Sequence, residues 1–320
     1  MTESDVARPI TGPVAVIGTG VIGAGWAALF LAAGLDVVAH DPSPGAEERL
    51  RAAVADAWPS LSRLGLADGA RADRLVFAAD TATAVAGAGF VQESGPERMD
   101  LKQQLFAALD EAAPAETVIA SSSSGLTPSE IQAMCGRHPE RVLVGHPFNP
   151  AHLIPLVEVV PGRATSDAAT ATAMAFYRAV GKRPIHVRAE LPGHVTNRLQ
   201  AALWQEAYSL VERGVASVAD VDAAISYGPG LRWALLGPLV NQHLSGGSGG
   251  MAHTLAHLGP PAEEWMKDLQ PARLSPTLVD LLVGGVDEEL RNIDEGELVA
   301  QRDDLLVALL EAKRGRAALP

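Results

Sequence analysis

The stretch Val14-Ala15-Val16-Ile17-Gly18-Thr19-Gly20-Val21-Ile22-Gly23 decides the fold. An apolar, β-branched run ends in Gly-x-Gly-x-x-Gly, and Ala24 to Ala33 follows as a helix former with apolar residues nearly throughout. That order is the strand, tight turn and helix N-terminus of a dinucleotide-binding βαβ unit. Gly18 permits the turn, Gly20 lets the backbone approach a pyrophosphate, and Gly23 allows close packing of helix on strand, with Val21 and Ile22 between them. Phosphates would rest against free N–H groups at the positive end of the helix dipole. A second strand, Leu35 to Ala39, leads to Asp41, 18 residues past Gly23. That is about where a carboxylate accepts bonds from the adenosine ribose hydroxyls. A glycine-rich turn beside a solvated Asp is the bland alternative, and the strand–turn–helix–strand context weighs against it. No arginine or lysine follows Asp41 until Arg49, so nothing nearby would hold a 2′-phosphate. The expected cofactor is NAD rather than NADP.

The chain has 320 residues, enough for two domains with sizeable cores. Its net charge of −13 argues against nucleic acid and anionic membranes, since both need basic surface. Lysine occurs only at Lys102, Lys182, Lys267 and Lys313. The single cysteine, Cys135, excludes an intrachain disulfide and any Cys-rich metal site, and fits a reducing cytoplasm. Met1 to Gly12 form a polar leader with Glu3 and Asp5 and no apolar core, so no signal peptide is expected. No apolar stretch approaches the length of a membrane span.

From residue 14 to about 120 strands alternate with helices: Val14–Ile17, Leu35–Ala39, Leu75–Ala78, Phe90–Gln92 and Val118–Ala120 read as strands. Val142–Val144, Val157–Val160 and Ile185–Val187 add three more. The alternation over residues 14 to about 120 predicts an α/β fold with a parallel, doubly wound sheet. Helices are expected over Ala46–Arg74, Asp100–Ala112 and Thr165–Val180. Leu191-Pro192-Gly193 reads as a hinge, dividing the chain into domains at 1–190 and 191–320. Beyond it strands vanish. Thr196–Arg213, Val218–Ile225 with Ser217 as N-cap, and Leu298–Lys313 read as helices of an all-helical second domain. The glycine-rich run Ser245–Gly250 reads as a flexible loop or, on a functional reading, a mobile lid.

Four further segments carry residues suited to chemistry. Ala120-Ser121-Ser122-Ser123-Ser124-Gly125-Leu126 begins at a strand end, where ligands collect in open α/β sheets. Gly145-His146-Pro147-Phe148-Asn149-Pro150 follows a strand and displays a histidine. Glu158 stands inside the apolar run Leu156–Val160, an expensive place for a carboxylate unless it is paired. A carboxylate-oriented imidazole made of Glu158 and His146 is the usual form of a general base near neutral pH. The fourth segment is Pro192-Gly193-His194-Val195-Thr196-Asn197-Arg198. Taken singly, each has a bland reading: a packed histidine, an edge-strand glutamate, a serine-rich loop, a helix cap.

Together these motifs resemble the 3-hydroxyacyl-CoA dehydrogenase superfamily, an N-terminal Rossmann domain followed by a helical domain. The matches run from Gly18 to about Gly259. The resemblance places the family's catalytic serine at Ser124, its histidine at His146, its glutamate at Glu158 and its active-site asparagine at Asn197. It implies that His146 takes the proton of a 3-hydroxyl while C3 passes hydride to the nicotinamide. Glu158 would then hold the imidazole, with Ser124 and Asn197 bonding the reacting oxygen. It also places Glu93 beside the nicotinamide and adds Lys102 to the cofactor site, and it implies a homodimer formed through the helical domain.

Departures from the family pattern narrow the substrate. Acyl-CoA enzymes of this superfamily carry a lysine-rich helical tail after the second strand. Here Ala46–Arg74 has no lysine and carries Glu47, Glu48, Asp56, Asp68 and Asp73. The stretch Gly228–Pro238 includes Arg232-Trp233, and Glu93–Arg98 reads Glu-Ser-Gly-Pro-Glu-Arg. Both are similar to the free-acid branch that contains λ-crystallin/L-gulonate 3-dehydrogenase and carnitine 3-dehydrogenase. The expected activity is therefore NAD-dependent oxidation of a free 3-hydroxy acid, with Arg232 on the substrate carboxylate and Trp233 walling the pocket. An acyl-CoA dehydrogenase using Arg49, Arg51 and Arg63 is one alternative, and a crystallin-like NAD-binding protein with an idle site is another. A serine hydrolase lacks its Gly-x-Ser-x-Gly elbow.

Overall fold

The computed structural model describes residues 10–316 and 319; residues 1–9 of the polar leader, on which the signal-peptide expectation rests, lie outside the described residues. The chain divides into two compact units, the first ending at Arg198 and the second beginning at Leu199.

In the first unit the apolar runs form eight strands: β1 (Val14–Ile17), β2 (Val37–His40), β3 (Leu75–Phe77), β4 (Phe90–Glu93), β5 (Val118–Ser121), β6 (Val142–Pro147), β7 (Leu156–Pro161) and β8 (Arg183–His186). They make one sheet in the order β3-β2-β1-β4-β5-β6-β7-β8. The chain runs outward from β1 in one direction and then, from β4, in the other. In open α/β sheets ligands bind beside such a reversal, at the strands' carboxyl ends. Every adjacent pair is parallel except β6–β7, which is antiparallel. The parallel pairing expected over residues 14 to about 120 holds for β1 to β5, and the one antiparallel step falls among the later strands. Only residues 148–155 join β6 to β7. A parallel return needs roughly a dozen residues or more, so the chain doubles back.

Helices cover both faces. On one face lie α1 (Val21–Ala32), α2 (Ala46–Leu64) and, from later in the chain, the helix Asp167–Ala179. On the other lie α3 (Thr81–Val85), α4 (Met99–Ala112) and α5 (Pro128–Ile131). The helix Asp167–Ala179 is α6, capped by the Ser166 hydroxyl accepting from the Ala169 N–H at 3.1 Å. The expected helix over Ala46–Arg74 stops at Leu64, because Gly65 takes φ 97°, outside the helical range. Phe90 of β4 stacks on Phe176 of α6 with ring centroids 4.0 Å apart, and Trp26 stacks on Phe30 at 5.2 Å. Each such buried ring contributes about 1.5–3 kcal/mol.

The second unit has no strand among the described residues. Helix α7 (Thr196–Glu212) leads into α8 (Val218–Ser226), α9 (Pro229–Trp233), α10 (Pro238–Ser245), α11 (Gly250–Asp268), α12 (Pro276–Glu289) and α13 (Glu295–Lys313). Ser217 caps α8 in a reciprocal capping box with Asp220. The glycine run 245–250 is a tight turn between α10 and α11. Its end is fastened by the Met251 N–H donating to His243 Nδ1 at 3.1 Å. No helix among the described residues is long and apolar enough to cross a membrane.

Candidate active site

The glycines of the first turn have separable jobs. Gly18 sits at φ 87°, and a Cβ there would meet the Ser94 backbone at 2.7 Å. A Cβ on Gly23 would strike the Gly18 carbonyl oxygen at 1.9 Å, so helix and strand meet only through glycine. A Cβ on Gly20 would touch nothing within 4 Å. Protein packing therefore does not require that glycine, whereas a phosphate drawn against the backbone would. No side chain caps α1 at Gly20, so its first N–H groups face the turn. Asp41, just beyond β2, accepts from the Thr19 N–H and the Ser43 N–H, each at 2.8 Å. Burial raises the proton affinity of its carboxyl, but these N–H bonds outweigh it and keep Asp41 ionised. Arg49 donates to the Pro44 carbonyl at 2.8 Å. These residues fit the diphosphate and unphosphorylated ribose of NAD.

Glu93, fully buried at the end of β4, accepts from Lys102 Nζ at 2.8 and 3.0 Å and from Ser121 Oγ at 2.8 Å. Lys102 also donates to the Gly95 carbonyl at 3.2 Å, so all three ammonium protons are used inside the protein.

His146 and Glu158 are direct cross-strand partners in the antiparallel β6–β7 pair. The reversed strand thus delivers the carboxylate to the imidazole, with Nδ1 to Oε2 at 2.8 Å. A carboxylate only accepts, so Nδ1 carries the proton and Nε2 presents a lone pair. Nε2 has no hydrogen-bond partner among the described residues and is not sealed from the surface. The other carboxylate oxygen, Oε1, accepts from the Val195 and Thr196 N–H groups at 3.0 and 2.9 Å and from Thr196 Oγ1 at 3.2 Å. Burial opposes the charge on Glu158, but the bonds from His146, Thr196 and Val195 together hold its carboxyl below the ordinary range. These contacts, with His194, carry the first unit past the Pro192-Gly193 turn as far as Arg198.

Ser124 is exposed, and its carbonyl accepts from Asn197 Nδ2 at 3.1 Å. The serine loop and the start of α7 are therefore joined at the residues singled out in the sequence. Glu97, which sequence reasoning did not assign, clamps this loop. Its Oε1 accepts from Ser123 Oγ at 2.6 Å, the Ser124 N–H at 2.9 Å and the Gly125 N–H at 3.0 Å. The only local sign of it was the acidic residue in Glu93–Arg98. Behind His146, a Cβ on Gly145 would collide with the Tyr177 hydroxyl at 1.9 Å. That hydroxyl donates to Gln92 Oε1 at 2.6 Å, and Gln92 Nε2 donates to Ser122 Oγ at 2.8 Å. Arg232 and Trp233 end α9 in the second unit, both exposed. No cluster of metal-ligating side chains occurs among the described residues.

Comparison with known proteins follows the same division. The model of the 3-hydroxyacyl-CoA dehydrogenase NAD binding domain matches residues 13–190, and that of the C-terminal domain matches residues 193–281. An L-carnitine dehydrogenase of Streptomyces griseus is 51% identical over 299 residues, covering 93% of this chain and 89% of that protein. One from Pseudomonas aeruginosa is 49% identical over 300 residues, covering 94% and 93%. The crystal structure of 5-formyl-3-hydroxy-2-methylpyridine 4-carboxylic acid 5-dehydrogenase, an NAD+ dependent dismutase, superposes with a TM-score of 0.82 at 30% identity, covering 95% of this chain and 98% of that one. The chain is an NAD-dependent oxidoreductase and belongs to the 3-hydroxyacyl-CoA dehydrogenase family.

Proposed function

We propose that this enzyme oxidises the 3-hydroxyl of a free 3-hydroxy acid to the 3-keto acid, and that L-carnitine is the substrate. The observation that carries this reading is about half identity to L-carnitine dehydrogenases across more than nine-tenths of the chain. The site chemistry supports it. His146 Nε2 receives the hydroxyl proton, while Nδ1–H stays on Glu158 and the developing imidazolium is neutralised there. Ser124 and Asn197 hold the reacting oxygen and orient C3. Bound NAD would supply the hydride acceptor for C3, so that loss of the hydroxyl proton to His146 and of hydride to the cofactor would leave a carbonyl at C3. Glu93, held by Lys102 and Ser121, would stand at the nicotinamide end, with Lys102 acting through it.

Arg232 binds the substrate carboxylate in this reading, since a guanidinium fixes a carboxylate by two parallel bonds. Trp233 walls the pocket and offers an aromatic face to a trimethylammonium group. Residues 1–190 thus hold the cofactor and supply Ser124, His146 and Glu158, while 191–320 add Asn197, Arg232 and Trp233 and serve assembly. The acyl-CoA alternative is disfavoured at α2, where Arg51 is paired with Glu47 at 2.7 Å and Arg49 is held on Pro44. The helical unit leaves Tyr227, Leu239, Trp265 and Leu305 at least 65% exposed. We assign that apolar surface to a second copy of this chain, making a homodimer. The single, buried Cys135 suits a cytoplasmic enzyme.

The test is NADH formation from L-carnitine, L-gulonate, 3-hydroxybutyrate and 3-hydroxybutyryl-CoA. L-Carnitine should give the highest kcat/KM. Preferred oxidation of the thioester would replace this reading with the acyl-CoA one.

A further inference from the structure

His194 is the one residue other than glycine with positive φ among the described residues, at 49°. Histidine tolerates that region better than most side chains, but the conformation still costs energy and persists where surrounding contacts impose it. The contacts are those of the catalytic centre. Its two successors, Val195 and Thr196, give their N–H groups to Glu158. Its own ring is completely buried, with its centroid 5.4 Å from that of His146. Nε2 lies 3.1 Å from the Ser123 carbonyl oxygen. A carbonyl only accepts, so Nε2 carries the proton and Nδ1 is bare. Nδ1 is sealed and has no partner. An unpaired buried nitrogen is a liability that a phenyl ring of the same size would avoid. The imidazole is therefore accounted for by the bond that Nε2 makes.

That bond falls on a particular peptide unit. The Ser123 carbonyl and the Ser124 N–H belong to the same plane, and the Ser124 N–H is held by Glu97 at 2.9 Å. Histidine and glutamate thus grip the plane from its two sides. The next carbonyl, that of Ser124, is held by Asn197. With φ and ψ so confined, the Cα–Cβ direction of Ser124 is set, and the His194 ring spaces the loop from His146. The groups facing the ring agree with a neutral imidazole. Burial lowers its proton affinity, and His146 does the same. The Ser123 carbonyl and the carboxylates of Glu158 and Glu97 act in the opposite sense without prevailing.

We propose that His194 is a positioning residue for Ser124, fixing the Ser123–Ser124 peptide plane against His146 by donating from Nε2. The role rests on the reading of Ser124 and His146 given above. The experiment compares His194→Phe, which keeps the volume and loses the donor, with His194→Gln, whose amide restores a donor. Both are assayed with NAD and L-carnitine, alongside NAD affinity, melting temperature and His146→Ala. His194→Gln should keep kcat within about threefold of wild type. His194→Phe should lose about tenfold or more with NAD affinity unchanged. Wild-type kcat in both variants, or an equal loss in both, would overturn the proposal. Nitrogen-15 NMR of the unsubstituted protein provides a check should His194→Phe fail to fold. It should show protonated Nε2 and bare Nδ1, and a protonated Nδ1 at neutral pH would overturn the assignment. His146→Ala separates the two levels. Turnover surviving there defeats the whole reading, whereas loss there with full activity in His194→Phe defeats the positioning role alone.

Discussion

At the β1–α1 turn the site is made of backbone, while at the β6–β7 pair it is made of side chains. A Cβ at Gly18 or Gly23 would strike backbone, while Gly20 is open, so the proposed phosphate cradle lies within a span of six residues. His146 and Glu158 are joined by a 2.8 Å bond between direct partners of the antiparallel β6–β7 pair, and the proposed chemistry uses that bond. The first device is local and transferable, and the second depends on the direction of a strand. Binding and chemistry should therefore fail separately.

His146→Ala should lower kcat by about 10²-fold or more and leave NAD affinity nearly unchanged. Steady-state kinetics with a fluorescence titration of NAD checks both, and coupled losses would erase the distinction drawn here. Arg232→Met extends it to the second unit. KM for the free acid should rise at least about tenfold, in keeping with roughly 1.5–3 kcal/mol for a bond to a charged group. An unchanged KM would remove Arg232 from the substrate site. Asp41→Ala addresses the cofactor side, and should weaken NAD about tenfold while kcat at saturating NAD is retained. Equal turnover with NADP in the unsubstituted enzyme would contradict the role of Asp41.

The smallest effect concerns the segment joining β6 to β7. Buried Lys182 donates to the carbonyls of Ala151 and Ile154, and its ammonium lies 4.9 Å from the Trp26 ring centroid. Burial lowers its pKa to about 7. In the unfolded chain it keeps a proton to about 10.4. Above pH 7 the unfolded state thus holds a proton that the native state releases, and stability rises with pH. Between pH 7 and 8 this amounts to about 1 kcal/mol. Urea unfolding of Lys182→Met should lack that increment relative to wild type, and parallel slopes would refute it.

What the sequence revealed divides along the same line. The glycine turn, Asp41 and the apolar strands were legible because each is dictated by its neighbours in the chain. His146 and Glu158 were legible as residues, through family resemblance, but an alternating apolar pattern does not encode strand direction. The antiparallel step that joins them was therefore left open. Glu97 was missed because its three partners lie 26 to 28 residues away and its own segment reads as a polar loop. Helix α11 was missed for a different reason. Its start is glycine-rich, and Pro260 and Pro261 signal a break that the helix overrides.

The most direct test uses L-carnitine carrying deuterium at C3, with NAD and the unsubstituted enzyme. Each turnover should deliver that deuterium to the nicotinamide ring of the reduced cofactor. Reduced cofactor without the label, or no reduction from L-carnitine where 3-hydroxybutyryl-CoA is oxidised, would contradict it.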